Sequence, residues 1–294
     1  MQASILIVSR DRKSELEKTL LLLERMIDTS IHEVLVFLDG FTDESTQLKN
    51  ELNWVKWHES YKSIGASGAR AILYPKATGQ ILIGLDDDAH PLNSDFISLS
   101  EQLFNQYPNV GVLAFQEIKG IFNSEDEALA QKEKGVVNYL CSEFVGCGFA
   151  IRKSVYDLTR GFPVWIDIYG EESCVSMEVL ANGYDILYTN YIAVNHRVNK
   201  EERFKTGRNY FRFGKQLKNT AFYYLVYYPF PFYKICRLLG HNFKKYAFKD
   251  WNYFIAFFSS VFTIIINLTK VLKYRNPIDS KVLKKIRQLP NPKY

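Results

Sequence analysis

Short apolar runs alternate with amphipathic segments in the first part of the chain. Residues 4–9 (SILIVS) and 32–40 (HEVLVFLDG) predict buried strands, and residues 14–26 (SELEKTLLLLERM) carry apolar side chains at helical spacing. The pattern returns as an Ala-rich segment at 65–77, followed by a third apolar run at 79–88 (GQILIGLDDD). Strands that alternate with helices predict a parallel sheet in an α/β fold, which binds ligands at the carboxyl ends of its strands.

Three consecutive aspartates, Asp86, Asp87 and Asp88, end the third apolar run. Carboxylates crowded at one strand terminus repel one another and lose hydration unless a cation lies between them. Mg²⁺ and Mn²⁺ prefer oxygen ligands and are often shared between protein carboxylates and substrate phosphates. Residues i and i+2 of an extended segment point to the same side, so Asp86 and Asp88 are expected to converge while Asp87 points elsewhere. The alternative is a solvated acidic turn.

A second pair of carboxylates, Glu171 and Glu172, follows an aromatic and apolar run at 162–169. A carboxylate beside apolar groups has a raised pKa and can accept a proton from a hydroxyl nucleophile. The alternative is a helical N-terminal turn whose acidic side chains interact with the helix dipole. The segment after the pair predicts a helix, a strand and then His196, a residue type that on its own is usually structural.

Charge and aromatic residues divide the chain into two parts. Residues 1–200 carry 18 Lys and Arg against 28 Asp and Glu, whereas residues 201–294 carry 19 against 4. The second part also holds 23 of the 44 Phe, Tyr and Trp residues. We therefore expect two domains in different surroundings, one at 1–200 and a basic, aromatic-rich helical extension at 201–294 that associates with a membrane.

The apolar stretch at 251–269 is the candidate membrane contact. It has 19 residues without charge, near the ~20 that a bilayer span requires. Polar residues interrupt it, and its aromatic rings and cationic flanks suit the headgroup region, so we expect a helix that lies on or dips into the membrane. One spanning segment is an alternative, as is a helical unit that packs these rings in its own core. The basic surface would also attract the anionic inner leaflet.

Composition disfavours several other classes of protein. The four cysteines, Cys141, Cys147, Cys174 and Cys236, lack metal-like spacing, so neither a disulfide framework nor a zinc site is expected. No G-x-G-x-x-G follows the first strand, which disfavours a Rossmann dehydrogenase. No RNA- or DNA-binding motif accompanies the basic residues, so no nucleic-acid partner is expected. The N-terminus does not resemble a signal peptide, and we expect the first domain to be cytoplasmic.

Taken in order, the segments between residues 4 and 197 resemble family 2 glycosyltransferases. The resemblance rests on ILIVSRDR, VLVFLDGFTDES, GASGARAILYPKATGQILIGLDDDAHP, GCGFAIRKSVYDLTRGF, YGEESCVSMEVLANGYDILYTN and NHR. It implies the GT-A fold, an α/β fold with a Rossmann-like mixed sheet flanked by helices, here followed by an α-helical extension. It also implies an inverting transfer from a nucleotide-diphosphate sugar.

The resemblance assigns residues to the nucleotide-sugar donor. Asp39 matches the acidic position that contacts the base or ribose. Ser9, Arg10 and Asp11 match the loop that lies against the nucleotide, where the family more often has Tyr-Asn. Arg70 matches the arginine of the segment that closes over the nucleotide, with an ordinary surface charge as the alternative.

The metal ligands implied by the resemblance are Asp88, Asp86 and His196. Asp88 is the expected direct ligand of Mn²⁺ or Mg²⁺, and Asp86 is the expected partner of the ribose or of a metal-bound water. His196 helps to hold the metal or the diphosphate. Asp87 belongs to the same donor-binding set.

The acceptor side and the catalytic base are also implied by the resemblance. Glu172 stands where the family has the second acid of a Glu-Asp pair, the catalytic base, and Glu171 is a second candidate. Gly146 and Gly148 match a glycine-rich turn on the acceptor side, where a missing side chain lets substrate approach the backbone.

The expected function is transfer of a sugar to a hydroxyl of a glycan or lipid-linked acceptor at the cytoplasmic face of the cell membrane, in surface polysaccharide assembly. One alternative is a metal-dependent nucleotidyltransferase, which would release pyrophosphate instead of a nucleoside diphosphate. Another is an inactive nucleotide-sugar-binding scaffold at the membrane, because Glu172, Cys174 and Glu178 differ from the residues that the family often has.

Overall fold

The computed structural model describes residues 2–198 and 208–293. The chain divides into two compact units, a first unit of Met1–Asp167, Glu172–Val198 and Arg287–Tyr294 and a second unit of Ile168–Glu171 and Asn199–Ile286. The expected domain boundary between residues 200 and 201 lies outside the described residues.

The described part of the first unit contains one sheet of nine strands. These are β1 (Ala3–Ser9), β2 (His32–Asp39), β3 (Lys56–Ser60), β4 (Ile81–Asp86), β5 (Ala89–Pro91), β6 (Val110–Lys119), β7 (Asn138–Cys141), β8 (Gly148–Arg152) and β9 (Asp185–His196). The strand order is β3-β2-β1-β4-β8-β6-β9-β5, and β7 pairs with β9 beside this path.

The sheet is mixed. β1 pairs in parallel with β2 and β4, but β8 runs antiparallel to both β4 and β6. The strands predicted from the alternation, β1, β2 and β4, are parallel as expected, and the antiparallel β8 makes the whole sheet mixed, which confirms the mixed sheet implied by the family resemblance. The alternation of strands and helices is interrupted where β5 follows β4 and where β8 follows β7 without an intervening helix.

Helices flank the sheet and form the second unit. Those before β9 are α1 (Lys13–Glu24), α2 (Leu48–Glu51), α3 (Gly65–Leu73), α4 (Phe96–Gln106), α5 (Glu125–Leu129), α6 (Lys153–Tyr156) and α7 (Glu171–Ala181). Those after β9 are α8 (Arg208–Tyr227), α9 (Pro231–Asn242), α10 (Trp251–Leu272) and α11 (Ser280–Ile286), with a π-helical turn at Phe243–Ala247 between α9 and α10.

Apolar side chains cover both faces of the sheet. In β1, Ile5 and Ile7 belong to the core cluster that includes Leu16 and Leu20 of α1. Leu6, which points to the opposite face, belongs to a second cluster with residues of α3. Burial on both faces explains why the strands read as continuous apolar runs. The first polar side chains then appear where the strands end.

The second unit has a separate aromatic core. Phe213 and Leu217 of α8 cluster with Ala247 and with Phe257 of α10. The hydroxyl of Ser260 in α10 donates to the backbone carbonyl of Gly214 at 3.1 Å. One face of α10 is thus fixed against α8 by packing and by a hydrogen bond.

Candidate active site

The carboxyl ends of three neighbouring strands form the floor of the candidate site. β1 ends at Ser9, β2 at Asp39 and β4 at Asp86, and these ends are adjacent because the strands are parallel and in register. The hydroxyl of Ser9 donates to Asp87 Oδ2 at 2.7 Å. Candidate donor-binding residues from three segments that are distant in sequence therefore lie close together at the carboxyl ends of these strands.

Cationic side chains of the chain itself face all three aspartates. Arg12 donates from Nη1 to Asp87 Oδ1 and from Nη2 to Asp88 Oδ2, each at 2.7 Å. Arg70 Nη2 donates to Asp86 Oδ1 at 2.9 Å. The sequence led us to expect a metal to neutralise these carboxylates. Arginine side chains supply part of that positive charge.

His196 completes the charge compensation of the triplet. Its Nε2 lies 3.2 Å from Asp88 Oδ1, and its Nδ1 lies 2.5 Å from Glu117 Oε1. Burial disfavours the charged ring, but the hydrogen bonds to the two carboxylates outweigh burial and raise the pKa of His196 to about 9. The imidazole is therefore held as a cation between two carboxylates.

The buried aspartates respond to their surroundings in opposite directions. Burial raises the pKa of Asp87 to about 7, against the opposing charge of Arg12. Burial acts in the same sense on Asp88, but His196 and Arg12 outweigh it and hold the pKa of that carboxyl well below its usual range. Of these two carboxyls, Asp88 is therefore the one that stays ionised more firmly.

The expected metal ligands do converge. Asp86, Asp88 and His196 each offer one ligand atom, and these atoms all lie within 4.8 Å of one another. The convergence depends on a turn instead of strand alternation, because β4 ends at Asp86. Two carboxylate oxygens and one imidazole nitrogen fit Mn²⁺ or Mg²⁺. His196 can bind a metal through Nε2 only after that nitrogen has lost its proton.

A second group of potential ligands shares the same histidine. Glu117, Cys147 and His196 also place their ligand atoms within 4.8 Å of one another. Burial raises the pKa of the Cys147 thiol well above its usual value, and the nearby Glu117 charge adds to this. A protonated thiol is a poor ligand, so the group with two aspartates fits a metal better.

Arg70 connects the aspartate triplet to the candidate base. Its guanidinium donates to Asp86 through Nη2 and to Glu172 Oε1 through Nη1, the latter at 3.0 Å. It also lies 5.5 Å from the ring centroid of Phe162. Burial raises the pKa of Glu172, as the sequence predicted, while Arg70 opposes the shift.

Gly146 lies against this pair of side chains. A Cβ atom at this position would overlap with Glu172 Oε1 and would lie 2.9 Å from Arg70 Nη2. Glycine thus leaves the space that the carboxylate and guanidinium occupy. Gly148 has a different environment, because its Cβ would lie 2.7 Å from Val194 Cγ2 within the sheet.

Asp39 holds the segment that carries Arg70. Its buried carboxylate accepts hydrogen bonds from Ser63 Oγ at 2.8 Å and from the backbone amides of Ile64 and Gly65 at 2.7 and 3.0 Å. These residues immediately precede or begin α3. The carboxylate therefore fixes the loop at the start of α3.

The remaining expected residues occupy the rim or the start of α7. Arg10 is exposed and donates to Ser63 Oγ at 3.1 Å. Asp11 has a φ of 53° and accepts a hydrogen bond from the Thr42 amide, which lowers its pKa. Glu171 is the first residue of α7, and its side chain is buried.

Two residues of the site were missed by sequence reasoning. Arg12 lies in the same loop as Arg10 and Asp11, so its position after β1 was a usable signal. Glu117 is a charged residue inside strand β6 (VGVLAFQEIK), which is buried as far as Ile118. A charge within a largely apolar run is a second usable signal, because buried carboxylates require partners.

Comparisons with solved structures agree on the fold. GalNAc-T7, crystallised with UDP, GalNAc and Mn²⁺, is 18% identical with a TM-score of 0.54, covering 68% of this chain and 44% of that one. S. aureus TarS is 15% identical with a TM-score of 0.59, covering 94% and 50%. The mannosyltransferase PcManGT from Pyrobaculum calidifontis, in complex with GDP-Man and Mn²⁺, is 15% identical with a TM-score of 0.57, covering 90% and 75%.

The chain thus spans about half the length of the first two of these structures. At these identities the likeness shows the GT-A fold alone. A search of curated protein sequences finds no match. The model of the family described as Glycosyl transferase family 2 matches residues 4–158, more than half of the chain. This protein therefore belongs to glycosyl transferase family 2.

Proposed function

We propose that this glycosyltransferase moves a sugar from a nucleotide-diphosphate sugar to an acceptor hydroxyl, with inversion, and that Glu172 is the general base. The observation that carries the proposal is the double contact of Arg70 with Asp86 and Glu172. It links the aspartates at the ends of the strands to a carboxylate whose pKa is raised by burial. One guanidinium therefore contacts both the proposed donor site and the proposed base.

In this proposal the residues at the strand ends bind the donor. Asp39, Ser9 and the loop containing Arg10 and Asp11 border the nucleotide. Asp86, Asp88 and His196 would hold Mn²⁺ or Mg²⁺, which when bound supplies positive charge near the departing diphosphate. Proteins named in the structural comparison were crystallised with Mn²⁺ and a nucleotide or nucleotide sugar.

Glu172 removes the proton of the acceptor hydroxyl as that oxygen bonds to the anomeric carbon. The bond from the anomeric carbon to the diphosphate oxygen breaks on the opposite face, and the electron pair leaves with the nucleoside diphosphate. A base works best when its pKa lies near the working pH. Burial raises the pKa of Glu172 in that direction, and the charge of Arg70 opposes the shift.

The proposal is tested with a panel of nucleotide-diphosphate sugars. We expect one donor to raise the melting temperature in the presence of Mn²⁺, because a ligand that binds only the native state stabilises it. With an acceptor glycan, the same donor should release its nucleoside diphosphate. Release of pyrophosphate would support a nucleotidyltransferase, and binding without transfer or hydrolysis would support an inactive scaffold.

The departure of Glu178 from the family pattern does not weaken the proposed activity. Its carboxylate accepts from the backbone amide and Nε of Arg160, at 2.6 and 2.7 Å. Glu178 therefore has a structural role in holding the segment before α7.

We also propose that the second unit attaches the enzyme to a membrane surface. Among the described residues, α10 is the helix whose length and composition would allow it to cross a bilayer. One of its faces is buried in the second unit, through Phe257, Ser260, Ile264 and Val271. The other face is an exposed apolar stripe formed by Trp251, Ile255, Phe258, Phe262, Ile265 and Ile266.

The stripe favours a helix that lies in the membrane surface. From Trp251 to Ile265 its members recur at intervals of three or four residues, and Ile266 lies four residues after Phe262. The members therefore form one line along a helix of 22 residues, about 33 Å at 1.5 Å per residue. A spanning helix would present lipid with apolar side chains all round, but the opposite face packs on α8. Exposed Lys244, Lys245 and Lys249 precede the stripe and suit anionic headgroups.

Such attachment would bring the enzyme to a lipid-linked acceptor at the cytoplasmic leaflet, where surface polysaccharides begin. Salt extraction of membrane vesicles tests the mode of attachment. Apolar insertion predicts that the protein stays bound in high salt, because salt screens charges but not the hydrophobic effect. Complete release by salt alone would show that the attachment is purely electrostatic and would contradict apolar insertion.

A further inference from the structure

Glu117 is a buried carboxylate that contacts His196, one of the candidate metal ligands. It lies in β6, and its side chain is 3% exposed. Its Oε1 lies 2.5 Å from His196 Nδ1, and its Oε2 lies 3.2 Å from Lys119 Nζ. On the far side of the same imidazole ring, Nε2 faces Asp88.

The sheet itself fixes this arrangement. β6 and β9 pair in parallel, and Glu117 is opposite Val194, two residues before His196. The pairing register shifts between Phe115 and Gln116, immediately before Glu117, and such irregularities re-aim side chains at functional sites. The carboxylate and the imidazole therefore belong to two rigid strands instead of loops.

A carboxylate on one ring nitrogen determines what the other nitrogen can do. A metal-bound histidine almost always donates its second N–H to a carboxylate, carbonyl or water, which fixes the tautomer and the orientation of the ring. With Nδ1–H donated to Glu117, the nitrogen left for a metal is Nε2. This nitrogen points to the carboxylate of Asp88, a member of the group that fits a metal.

We infer that Glu117 is a positioning residue, which holds His196 Nδ1–H and directs Nε2 toward a divalent cation bound by Asp86 and Asp88. This inference rests on the proposed function, since it takes up the metal site proposed there. The competing arrangement is a cation on the Nδ1 side of the ring, between Glu117 and Cys147. The test below distinguishes the two arrangements.

The test is the affinity of the full chain for Mn²⁺, measured from the electron paramagnetic resonance signal of the free ion, with and without UDP or GDP. Glu117→Ala should weaken Mn²⁺ binding about 10- to 100-fold, the usual effect of losing such a partner. Glu117→Gln should lose less, because the amide oxygen still accepts from Nδ1–H. Unfolding of each metal-free variant shows whether it is folded.

A double-mutant cycle separates positioning from a general structural effect. If Glu117 acts through His196, Glu117→Ala should weaken Mn²⁺ binding in the wild-type background but have no further effect in His196→Ala. Equal losses in both backgrounds would overturn the inference. Cys147→Ser should leave the affinity unchanged, and a loss as large as that of Glu117→Ala would place the ion on the Nδ1 side and overturn it as well.

The outcomes also distinguish this inference from the proposed function. Mn²⁺ binding by the wild type that is insensitive to Glu117→Ala overturns the positioning role and leaves the metal site standing. A wild-type chain that binds no Mn²⁺, with or without a nucleotide, overturns the metal site itself and the positioning role with it.

Discussion

The candidate site at the strand ends of the first unit buries charged side chains, whereas helix α10 of the second unit exposes apolar side chains. At the strand ends, charged groups such as Asp87, Asp88 and Glu117 are buried. On α10, large apolar side chains such as Phe262 and Ile265 are 65% and 64% exposed. Buried charge and exposed apolar surface are the informative exceptions in a soluble fold, and here they occur in different units.

The two regions are expected to respond differently to substitution. A buried charge is held by its partners, so removal of one partner leaves the other unsatisfied and affects both stability and chemistry. An exposed apolar side chain has few partners within the molecule, so its removal affects an external interaction and leaves the fold intact. Substitutions in the two regions should therefore give different combinations of activity, stability and membrane binding.

The largest effect is expected at the candidate base. Glu172→Gln keeps the shape and the contact with Arg70 but cannot accept a proton, and loss of a general base typically lowers rates by ~10²- to 10⁴-fold. Release of nucleoside diphosphate in the presence of donor and acceptor measures the rate, and donor binding should survive. Glu125→Gln, at an exposed position of α5, is the matched control. Full activity in Glu172→Gln would place the base elsewhere.

The next largest effect is expected at Gly146. A methyl group there would overlap with Glu172 Oε1 and crowd Arg70, and both side chains have flexible ends that can move aside. The fold should survive while the base is displaced, and a displacement of about 1 Å can lower a rate ~10²-fold. Steady-state kinetics and thermal unfolding measure the two effects separately.

Gly240→Ala provides the control for the added methyl group, because a Cβ at Gly240 of α9 meets nothing within 4 Å. Gly146→Ala with normal turnover would show that Glu172 need not occupy its present position. A large loss of stability in Gly146→Ala would instead show that the contact between Arg70 and Glu172 holds the fold.

A smaller effect, mainly on stability, is expected at Arg12. Arg12→Met removes the cation shared by Asp87 and Asp88. Breaking a fully buried pair costs ~3–5 kcal/mol, but the Arg12 side chain is 36% exposed, so water screens part of the loss and we expect ~1–3 kcal/mol. Urea unfolding measures the change, and Mn²⁺ should stabilise the variant more than the wild type. Unchanged unfolding would mean that Arg12 contributes nothing to holding the aspartates.

The sequence predicted those parts of the site that depend on local pattern. Apolar runs located the strands that end at Ser9, Asp39 and Asp86, and the positions of parallel strands then placed these residues together. Arg12 and Glu117 were missed because each binds a partner more than 70 residues away, across pairings that periodicity does not encode. Periodicity likewise did not show the antiparallel direction of β8, since strand pairing depends on tertiary context; only the family resemblance implied a mixed sheet.

The smallest effect on the molecule itself is expected on the exposed stripe of α10. Phe257 and Phe262 are the same residue type in the same helix, but Phe257 is 6% exposed and Phe262 is 65% exposed. Phe257→Ala should destabilise the second unit by ~3–5 kcal/mol, as buried Phe substitutions do. Phe262→Ala should leave the unfolding free energy unchanged within ~0.5 kcal/mol but weaken binding to vesicles.

Flotation with vesicles that contain anionic lipid measures the binding. Insertion of one aromatic side chain contributes ~1.5–3 kcal/mol when it is fully buried, so partial insertion of Phe262 predicts a loss of roughly tenfold in partitioning. Asn252→Ser, at an exposed polar position of the same helix, should not change the partitioning. If Phe262→Ala floats like the wild type while Phe257→Ala unfolds, the stripe does not contact lipid, and α10 serves only the core of the second unit.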